Sequence, residues 1–337
     1  RSVFEEKDLL PGKSLAGVPT PVPELRKSSR IKIIPKYNLI LTLDMGTGDY
    51  LAQAFSLDSC KYLRSFIKRG TGSGEQLSAE SIHYRPGEKV IYVADEMKNI
   101  IFIYSPDSIL RALTVRPTDS IKAWAEPLNR PVVLAGKSFA DLRWNRSNTA
   151  PIADFRSVGV YNFFSPSGAL INYGGRFPAT SNAIDVNQLT EAFFGRPNLS
   201  DDNTRIVYAY YNTDIIDLCD LHGGLIKRVQ GPDGFEPSVR TLKVGEGEEI
   251  VPRKDARFGY TGTPRMNNNT LLVLYNGTSQ EKNEYHTSRL YQFDSSPLPK
   301  VFYRLSEPIF DFDVDWGRRR IYGLTHLKDK TIITFKF

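Results

Sequence analysis

Cysteine, histidine and long apolar runs are scarce in this chain of 337 residues, and each shortage excludes a class of protein. The two cysteines, Cys60 and Cys219, lie far apart and outside any Cys-x-x-Cys motif, which excludes a disulfide-rich scaffold. A single bridge between them is an alternative, although the strand-like surroundings of Cys219 favour a buried free thiol. The four histidines show no zinc-binding spacing. No apolar run approaches the roughly 18 residues that span a bilayer.

Motifs for nucleotide binding and for hydrolysis are also absent. The Gly-Lys-Ser triplets that begin at Gly12 and Gly136 lack the upstream glycine of a phosphate-binding loop, and no Gly-x-Ser-x-Gly elbow occurs. The net charge of +6 is dispersed along the chain. Its densest groups, at residues 26–32 and 318–320, are short, and we interpret them as a solvated arm and an exposed hairpin turn. We therefore expect no nucleic-acid partner and no cofactor.

The sequence is rich in the residues of strands and turns. Phenylalanine and tyrosine, with 19 and 17 copies, lead an aromatic share of 12%, while 25 glycines and 21 prolines interrupt long helices. Residues 205–237 show the pattern most clearly, because three strand-like runs are separated by an Asn-Thr turn and a Gly-Gly turn. This stretch predicts a β-meander.

Similar units recur along the chain. Their turns begin at residues 58, 105, 165, 220 and 294, a loose period of roughly 50 to 60 residues that predicts an all-β fold, a six-bladed β-propeller. We expect residues 1–30 to form an extended arm and residues 31–337 to form the propeller, with strands beginning at Ile31. The last unit supplies three strands, so pairing of the N- and C-terminal segments would close the ring and remove its open edges.

Two segments depart from this pattern. Residues 181–195 carry apolar side chains near helical spacing and predict a short helix between blades. Residues 231–254 predict a long connection. We expect both to decorate one face of the ring.

Four segments carry a family resemblance: GTGSGE at residues 70–75, FFSPSGALINYGGRFP at 163–178, the meander at 205–237 and DFDVDWGRRRIYGLTH at 311–326. In this order they resemble the TolB-like six-bladed propeller proteins of Bacteroidetes cell envelopes, which are typically lipoproteins of unassigned function. The resemblance covers most of the chain from Ile31 and rests on turns rather than on catalytic residues. Where the family has a Gly-Pro-Gly-Glu turn, residues 72–75 read Gly-Ser-Gly-Glu and keep both glycines. The resemblance implies an exported protein, periplasmic or outer-membrane-associated, with any lipid anchor upstream of this sequence.

Asp311, Asp313 and Asp315 are the strongest candidates for chemistry. Strand alternation places their carboxylates on one face, where they would suit a cation or a polar ligand. They do not form an EF-hand, because Trp316 stands at the glycine position of that loop. In the structural alternative, Asp315 caps the next hairpin turn and the other two pair with arginines.

Aromatic residues provide two further candidates. Tyr208, Tyr210 and Tyr211 either pack between blades or offer a stacking platform for a sugar ring or a peptide. Trp144 and Arg146 lie in the segment WNRSN, which is either a contact surface or an ordinary crossing between strands.

These observations favour a monomeric, non-catalytic binding or scaffolding module of the cell envelope. Its partner would be an envelope protein, a small molecule or a glycan, held by the loops at one face of the propeller. The alternative is a propeller enzyme, a lyase or hydrolase with a metal- or carboxylate-based site at the channel mouth. The candidate binding residues are Asp95, Asn99, Tyr211, Asn212, Asp311, His326, Trp144 and Arg146.

Overall fold

The computed structural model describes residues 2–9, 12–124, 128–142, 160–180, 184, 188–245, 247–294 and 298–337. Strands dominate these residues. In chain order they are β1 Ser2–Val3, β2 Lys13–Leu15, β3 Gly17–Pro21, β4 Ser28–Ile34, β5 Leu39–Asp44, β6 Tyr50–Ser56, β7 Tyr62–Lys68, β8 Ser81–Arg85, β9 Val90–Asp95, β10 Ile100–Tyr104, β11 Asp119–Lys122, β12 Val132–Val133, β13 Phe139–Leu142, β14 Tyr161–Phe164, β15 Leu170–Gly174, β16 Gly195–Leu199, β17 Ile206–Tyr210, β18 Ile215–Cys219, β19 Leu225–Gln230, β20 Val239–Val244, β21 Gly247–Pro252, β22 Tyr260–Asn267, β23 Thr270–Tyr275, β24 Thr287–Phe293, β25 Pro299–Ile309, β26 Asp311–Asp315, β27 Arg320–Thr325 and β28 Thr331–Lys336.

Helices are short throughout the described ranges. They are the α-helices α1 Pro106–Arg111 and α2 Leu189–Ala192 and the 3-10 helices Glu6–Asp8, Pro35–Tyr37, Ala135–Lys137 and Gln280–Lys282. The turn predicted at residues 105–108 is wrong, because α1 begins there. The fixed φ of Pro106 suits the first position of a helix, and Ser105 precedes it in an extended conformation. The predicted helix between blades is confirmed only for α2, since residues 181–183 and 185–187 lie outside the described ranges.

The chain divides into two compact units, each of which is described by itself. Unit 1 comprises Arg1–Ser14, Leu142–Phe163 and Ile171–Arg304. Unit 2 comprises Leu15–Asp141, Phe164–Leu170 and Leu305–Phe337.

Unit 2 contains three four-stranded sheets, in the orders β4-β5-β6-β7, β11-β10-β9-β8 and β26-β27-β28-β3. Their neighbouring strands are antiparallel. The second strand of the first sheet, β5, is buried at every residue. A strand covered on both faces needs no polar residues on alternate positions, and its sequence LILTLD is nearly uniformly apolar.

The strand β3 completes the last of these sheets. It pairs antiparallel with β28, and Gly17 lies opposite Phe335. Pro19 and Pro21 suit this outer strand, because proline has no N–H to donate to a further neighbour. A Cβ atom on Gly17 would approach the Phe335 ring to 2.7 Å, so the contact requires glycine. The predicted start of the strands at Ile31 is therefore wrong, since β1 to β3 precede it and β4 begins at Ser28.

Unit 1 contains two five-stranded sheets, in the orders β1-β19-β18-β17-β16 and β2-β25-β24-β23-β22. The meander predicted at residues 205–237 is confirmed as β17, β18 and β19. The connection predicted at residues 231–254 instead contains the hairpin of β20 and β21. Phe4 is 1% exposed and packs edge-on against Tyr291 and Phe293, at ring distances of 5.8 Å. The N-terminal segment is thus part of the core of this unit.

One further sheet has the order β12-β13-β14-β15. With it, the described residues form six sheets of four or five strands, the blades of a six-bladed β-propeller. The predicted all-β class and blade number are confirmed. Within the described ranges no helix is both long and apolar enough to cross a membrane.

The two cysteines are free thiols in buried positions, Cys60 in unit 2 and Cys219 in unit 1. Burial raises the pKa of both, that of Cys219 to about 12. Because the thiolate is the reactive form, we expect neither residue to react with an aromatic disulfide reagent at pH 8 in the native protein. Both should react within the mixing time in concentrated guanidinium chloride. Fast reaction of either thiol in the native protein, or recovery of fewer than two thiols after unfolding, would contradict this expectation.

Candidate functional site

The carboxylates of β26 serve the neighbouring sheet of unit 2. Asp311, Asp313 and Asp315 are all buried. Asp311 Oδ2 accepts a hydrogen bond from the Ile31 backbone N–H at 3.2 Å, and Asp313 Oδ2 accepts one from Ile33 N–H at 2.7 Å. The strand β4 ends its sheet, so these N–H groups have no further strand to pair with. The two carboxylates supply the acceptors that such a strand would have provided.

Asp313 also neutralises a buried lysine. Its Oδ2 lies 3.1 Å from Lys32 Nζ, and both side chains are nearly inaccessible to solvent. The interpretation of residues 26–32 as a solvated arm is therefore wrong for Lys32. The exposed hairpin turn predicted at residues 318–320 is confirmed.

Asp315 caps that hairpin turn, as the structural alternative predicts. Its Oδ1 accepts a hydrogen bond from Arg318 N–H at 3.1 Å. No group of three His, Cys, Asp or Glu side chains in the described part of the chain is arranged to hold a metal ion. The hydrogen bonds to Ile31 and Ile33 are structural contacts, and ligand binding by Asp311 stays a prediction.

Asp95 and Asn99 stabilise the turn between β9 and β10. Asp95 is fully buried, and its carboxylate accepts hydrogen bonds from four donors: Leu77 N, Ser78 Oγ, Met97 N and Lys98 N. Asn99 adopts the left-handed conformation at φ 56°, which asparagine tolerates well, and its Oδ1 accepts a hydrogen bond from Leu128 N–H at 3.0 Å. Ligand binding by this pair stays a prediction.

Tyr211 and Asn212 lie in unit 1, in the turn between β17 and β18. The Tyr211 ring packs edge-on against Phe258 and Phe194, at 5.2 and 6.2 Å. Asn212 is 4% exposed; its Nδ2 donates to Glu191 O at 2.7 Å and its Oδ1 accepts from Gln280 Nε2 at 2.8 Å. The turn holds the α2 segment against the sheet, and its role as a ligand platform stays a prediction.

The other tyrosines of β17 pack as the structural alternative predicts. Tyr208 and Tyr210 are buried, and their hydroxyl groups donate to Phe193 O and to Asp217 Oδ2. Trp144 and Arg146 lie outside the described residues.

Among the predicted residues, His326 lines a cavity. This cavity of about 350 Å³ opens in unit 2 between residues 25–28, which lead into β4, and residues 324–330, which connect β27 to β28. Its polar lining consists of Arg26, Lys27, Ser28, Thr325, His326, Asp329 and Lys330.

Backbone hydrogen bonds fix both walls of the cavity. Lys27 O accepts from Met45 N–H at 3.1 Å, and Lys330 O accepts from Val22 N–H at 2.7 Å. The buried amide of Gln53 anchors the loop at Arg26, because its Oε1 accepts from the Arg26 N–H at 2.9 Å and its Nε2 donates to Glu24 O at 2.6 Å. The cavity is therefore a preformed feature of the unit.

Positive charge prevails in this cavity. Lys27 and Lys330 make no ion pair with any residue that the structure describes, and Asp329 is the acidic residue of the lining. The Arg26 guanidinium is partly compensated by Asp44, whose Oδ2 lies 3.8 Å from Arg26 Nη1. The arrangement suits a negatively charged group.

The imidazole of His326 stacks on Phe310, with the ring centroids 4.4 Å apart and an interplanar angle of 24°. Partial burial, and to a smaller degree the charge of Lys27, lower the pKa of His326 below its ordinary value. At neutral pH the ring is uncharged and offers both a donor and an acceptor nitrogen.

Sequence reasoning selected His326 but missed Lys27 and Lys330. Asp311 lies opposite Leu324 in the sheet, and His326 directly follows the end of β27. Lys27 falls in the segment predicted as a solvated arm and is exposed to solvent, and Lys330 lies in the turn before β28. In the sequence, the only signal for these two lysines is positive charge in two segments that are about 300 residues apart.

Family comparison agrees with this architecture. Residues 28–316 match the family described as TolB-like 6-blade propeller-like. The chain belongs to this family. Its fold is similar to that of a Bacteroides fragilis NCTC 9343 protein whose name assigns it to the exported proteins, at 10% identity and a TM-score of 0.58, covering 99% of this chain and 98% of that one. It is also similar to a member of the DUF4221 family from Bacteroides vulgatus ATCC 8482, at 9% identity and a TM-score of 0.59, covering 97% of each chain. No curated protein matches the sequence.

Replacement of Asp313 tests the buried ion pair. Asp313→Asn should lower the free energy of unfolding by about 3 kcal/mol, because Lys32 would be left buried without its countercharge. In the double variant with Lys32→Met most of that loss should be recovered, since no uncompensated charge remains. Urea unfolding of both single variants and the double variant measures the coupling. Additive losses would show that the two side chains do not interact.

The His326 pKa provides a second test. An NMR titration of the imidazole should place it below 6.5, and Lys27→Ser should move it upward, whereas Lys36→Ser, an exposed change outside the cavity, should not. The unfolded chain then binds this proton more readily than the folded chain, so His326 should reduce stability as the pH falls below about 6.5 and through the folded-state pKa. A pKa at or above 6.5, or no response to Lys27→Ser, would contradict the assigned cause.

Proposed function

We propose that this protein is an exported, non-catalytic binding module that recognises a small anionic ligand in the cavity beside His326. The observation that carries the proposal is the pair of lysines, Lys27 and Lys330, that face this cavity without an ion-pair partner among the described residues. Both lysines are exposed to solvent, and a carboxylate or phosphate group on the ligand could accept charge-assisted hydrogen bonds from them.

The size and composition of the cavity support a small polar ligand. Its volume of about 350 Å³ lies near the lower end of the range of ligand sites and suits a molecule of monosaccharide size. Thr325 and His326 provide neutral hydrogen-bonding groups beside the cations. An acidic sugar combines both features, because it carries one carboxylate and several hydroxyl groups.

Family membership supports the cellular location. The chain belongs to a family of TolB-like propellers, and one similar structure is a Bacteroides fragilis protein that its name assigns to the exported proteins. A location in the periplasm or at the outer membrane, with a lipid anchor upstream of this sequence, belongs to the same proposal.

The enzyme alternative has less support. It requires a metal- or carboxylate-based site at the channel mouth, and the Oδ2 atom of Asp311, a candidate carboxylate, accepts a hydrogen bond from the Ile31 backbone N–H. The cavity beside His326 contains one carboxylate, Asp329, together with several cations. This composition favours anion binding over acid–base catalysis by a pair of carboxylates.

Binding of charged and neutral probes tests the proposal. Isothermal titration calorimetry at low salt should detect binding of glucuronate and inorganic phosphate and little binding of glucose. The double variant Lys27→Ser/Lys330→Asn should weaken glucuronate binding by about tenfold or more, which corresponds to about 1.4 kcal/mol. Asparagine is chosen at position 330 because this residue has a φ of 50°, a conformation that asparagine tolerates.

Lys36→Ser provides the matched control, because it removes an exposed positive charge of unit 2 outside the cavity. It should leave the affinity for glucuronate within about twofold of the parent protein. Bound anion should also raise the His326 pKa. The anion site is refuted if glucose binds as tightly as glucuronate, if no anionic probe binds, or if Lys36→Ser weakens binding as much as the cavity variant.

A further inference from the structure

A second cavity lies in unit 1, between the faces of the sheets β16–β19 and β22–β25. Its volume is about 310 Å³. Apolar side chains from both sheets line it: Ile216, Leu218 and Val229 on one side and Met266, Leu271 and Phe293 on the other. We call this cavity the inter-sheet groove.

The groove is an opening in otherwise tight packing. Val229, Met266 and Phe293 belong to the core of the unit, and Leu218 packs partly buried against the same cluster. At the margin of the groove, the side chain of Ile226 remains 54% exposed. The two sheets share a continuous core but separate at this point and leave aliphatic surface exposed. An apolar ligand would remove that surface from water.

The charged and polar residues of the groove lie at the same end of their strands. Lys227 and Asp294 both line this end, where burial lowers the pKa of the Lys227 ammonium group and the Asp294 carboxylate offsets part of that effect. At the same end Arg205 Nη1 donates to Asn269 Oδ1 at 3.4 Å and so links the two sheets. Arg205 makes no ion pair with any described residue. The nearby Asp202 carboxylate is engaged by Ser200 and Thr204, with Oδ1 accepting from the two hydroxyl groups at 2.5 and 2.9 Å. Arg205 and Asp202 interact electrostatically without forming an ion pair, so N–H groups of the Arg205 guanidinium remain for an external anion.

We propose that the inter-sheet groove binds an aliphatic carboxylate, with the alkyl chain against the apolar side chains of the two sheets and the carboxylate at Arg205. The apolar walls suit the alkyl chain of such a ligand, and the Arg205 guanidinium suits its single carboxylate at one end of the groove. This site shares no residue with the cavity beside His326 and lies in the other unit, so it is independent of the function proposed above.

A matched set of probes tests both parts of the ligand. Decanoate, below its micelle-forming concentration, should bind, and acetate, which has the same head group without the chain, should not. Decanol, which has the chain without the charge, should bind about tenfold more weakly than decanoate if the guanidinium interacts with the head group. Arg205→Gln should bring decanoate to the affinity of decanol and leave the affinity for decanol unchanged.

Neighbouring residues of β19 provide the control for the groove. Ile226→Asp places a charge at the groove and should weaken decanoate binding at least tenfold. Leu225→Asp alters the adjacent residue, which is 42% exposed and does not line the groove, and should leave binding within twofold. Thermal unfolding of each variant separates loss of binding from loss of fold.

The proposal is overturned if decanoate does not bind, if acetate binds equally well, or if Leu225→Asp weakens binding as much as Ile226→Asp. Equal affinities for decanoate and decanol would overturn the assigned role of Arg205. Binding of glucuronate should be the same in the parent protein and in Arg205→Gln, so failure of either proposal can be recognised separately from failure of the other.

Discussion

The inner edge of β4 imposes the constraint on which the arrangement of unit 2 depends. A strand at the end of its sheet leaves every second backbone N–H without a partner, and such groups are costly when buried. Asp311 and Asp313 satisfy the N–H groups of Ile31 and Ile33. The match requires acidic residues at alternate positions of β26, because both strands repeat their geometry every two residues. The alternating aspartates of β26 suggest a metal site, but their hydrogen bonds to β4 explain the pattern by packing between two sheets.

The same constraint positions the proposed anion site. Once β26 holds β4, residues 25–28 at the start of β4 and residues 324–330 after β27 form facing walls of one cavity. Lys27 and Lys330 line this cavity, and neither makes an ion pair with a described residue. Asp313 provides a useful contrast, since it already neutralises Lys32 in the interior. Within one short basic segment, one lysine therefore has a structural role while Lys27 remains available to a ligand.

Local patterns predicted the fold better than they predicted the site. Turn residues and apolar runs correctly predicted the meander of β17 to β19 and the three C-terminal strands, because those features depend on neighbours in sequence. Pro106 shows where the same reasoning fails, since proline suits the first turn of a helix as well as a β-turn. Such reasoning could not predict the His326 cavity. Lys27 and Lys330 are far apart in the sequence and line one cavity only when two sheets pack together.

The pairing of β3 with β28 has a consequence for synthesis of the chain. The fourth strand of this sheet is made roughly 300 residues before its partner, which at ordinary rates of translation is an interval of about 15 to 60 seconds. Throughout that interval Gly17–Pro21 has no partner, and its two prolines reduce the risk that it pairs with another chain. Proteolytic removal of β3 or of β28 would open the same sheet, so these two strands share one vulnerability.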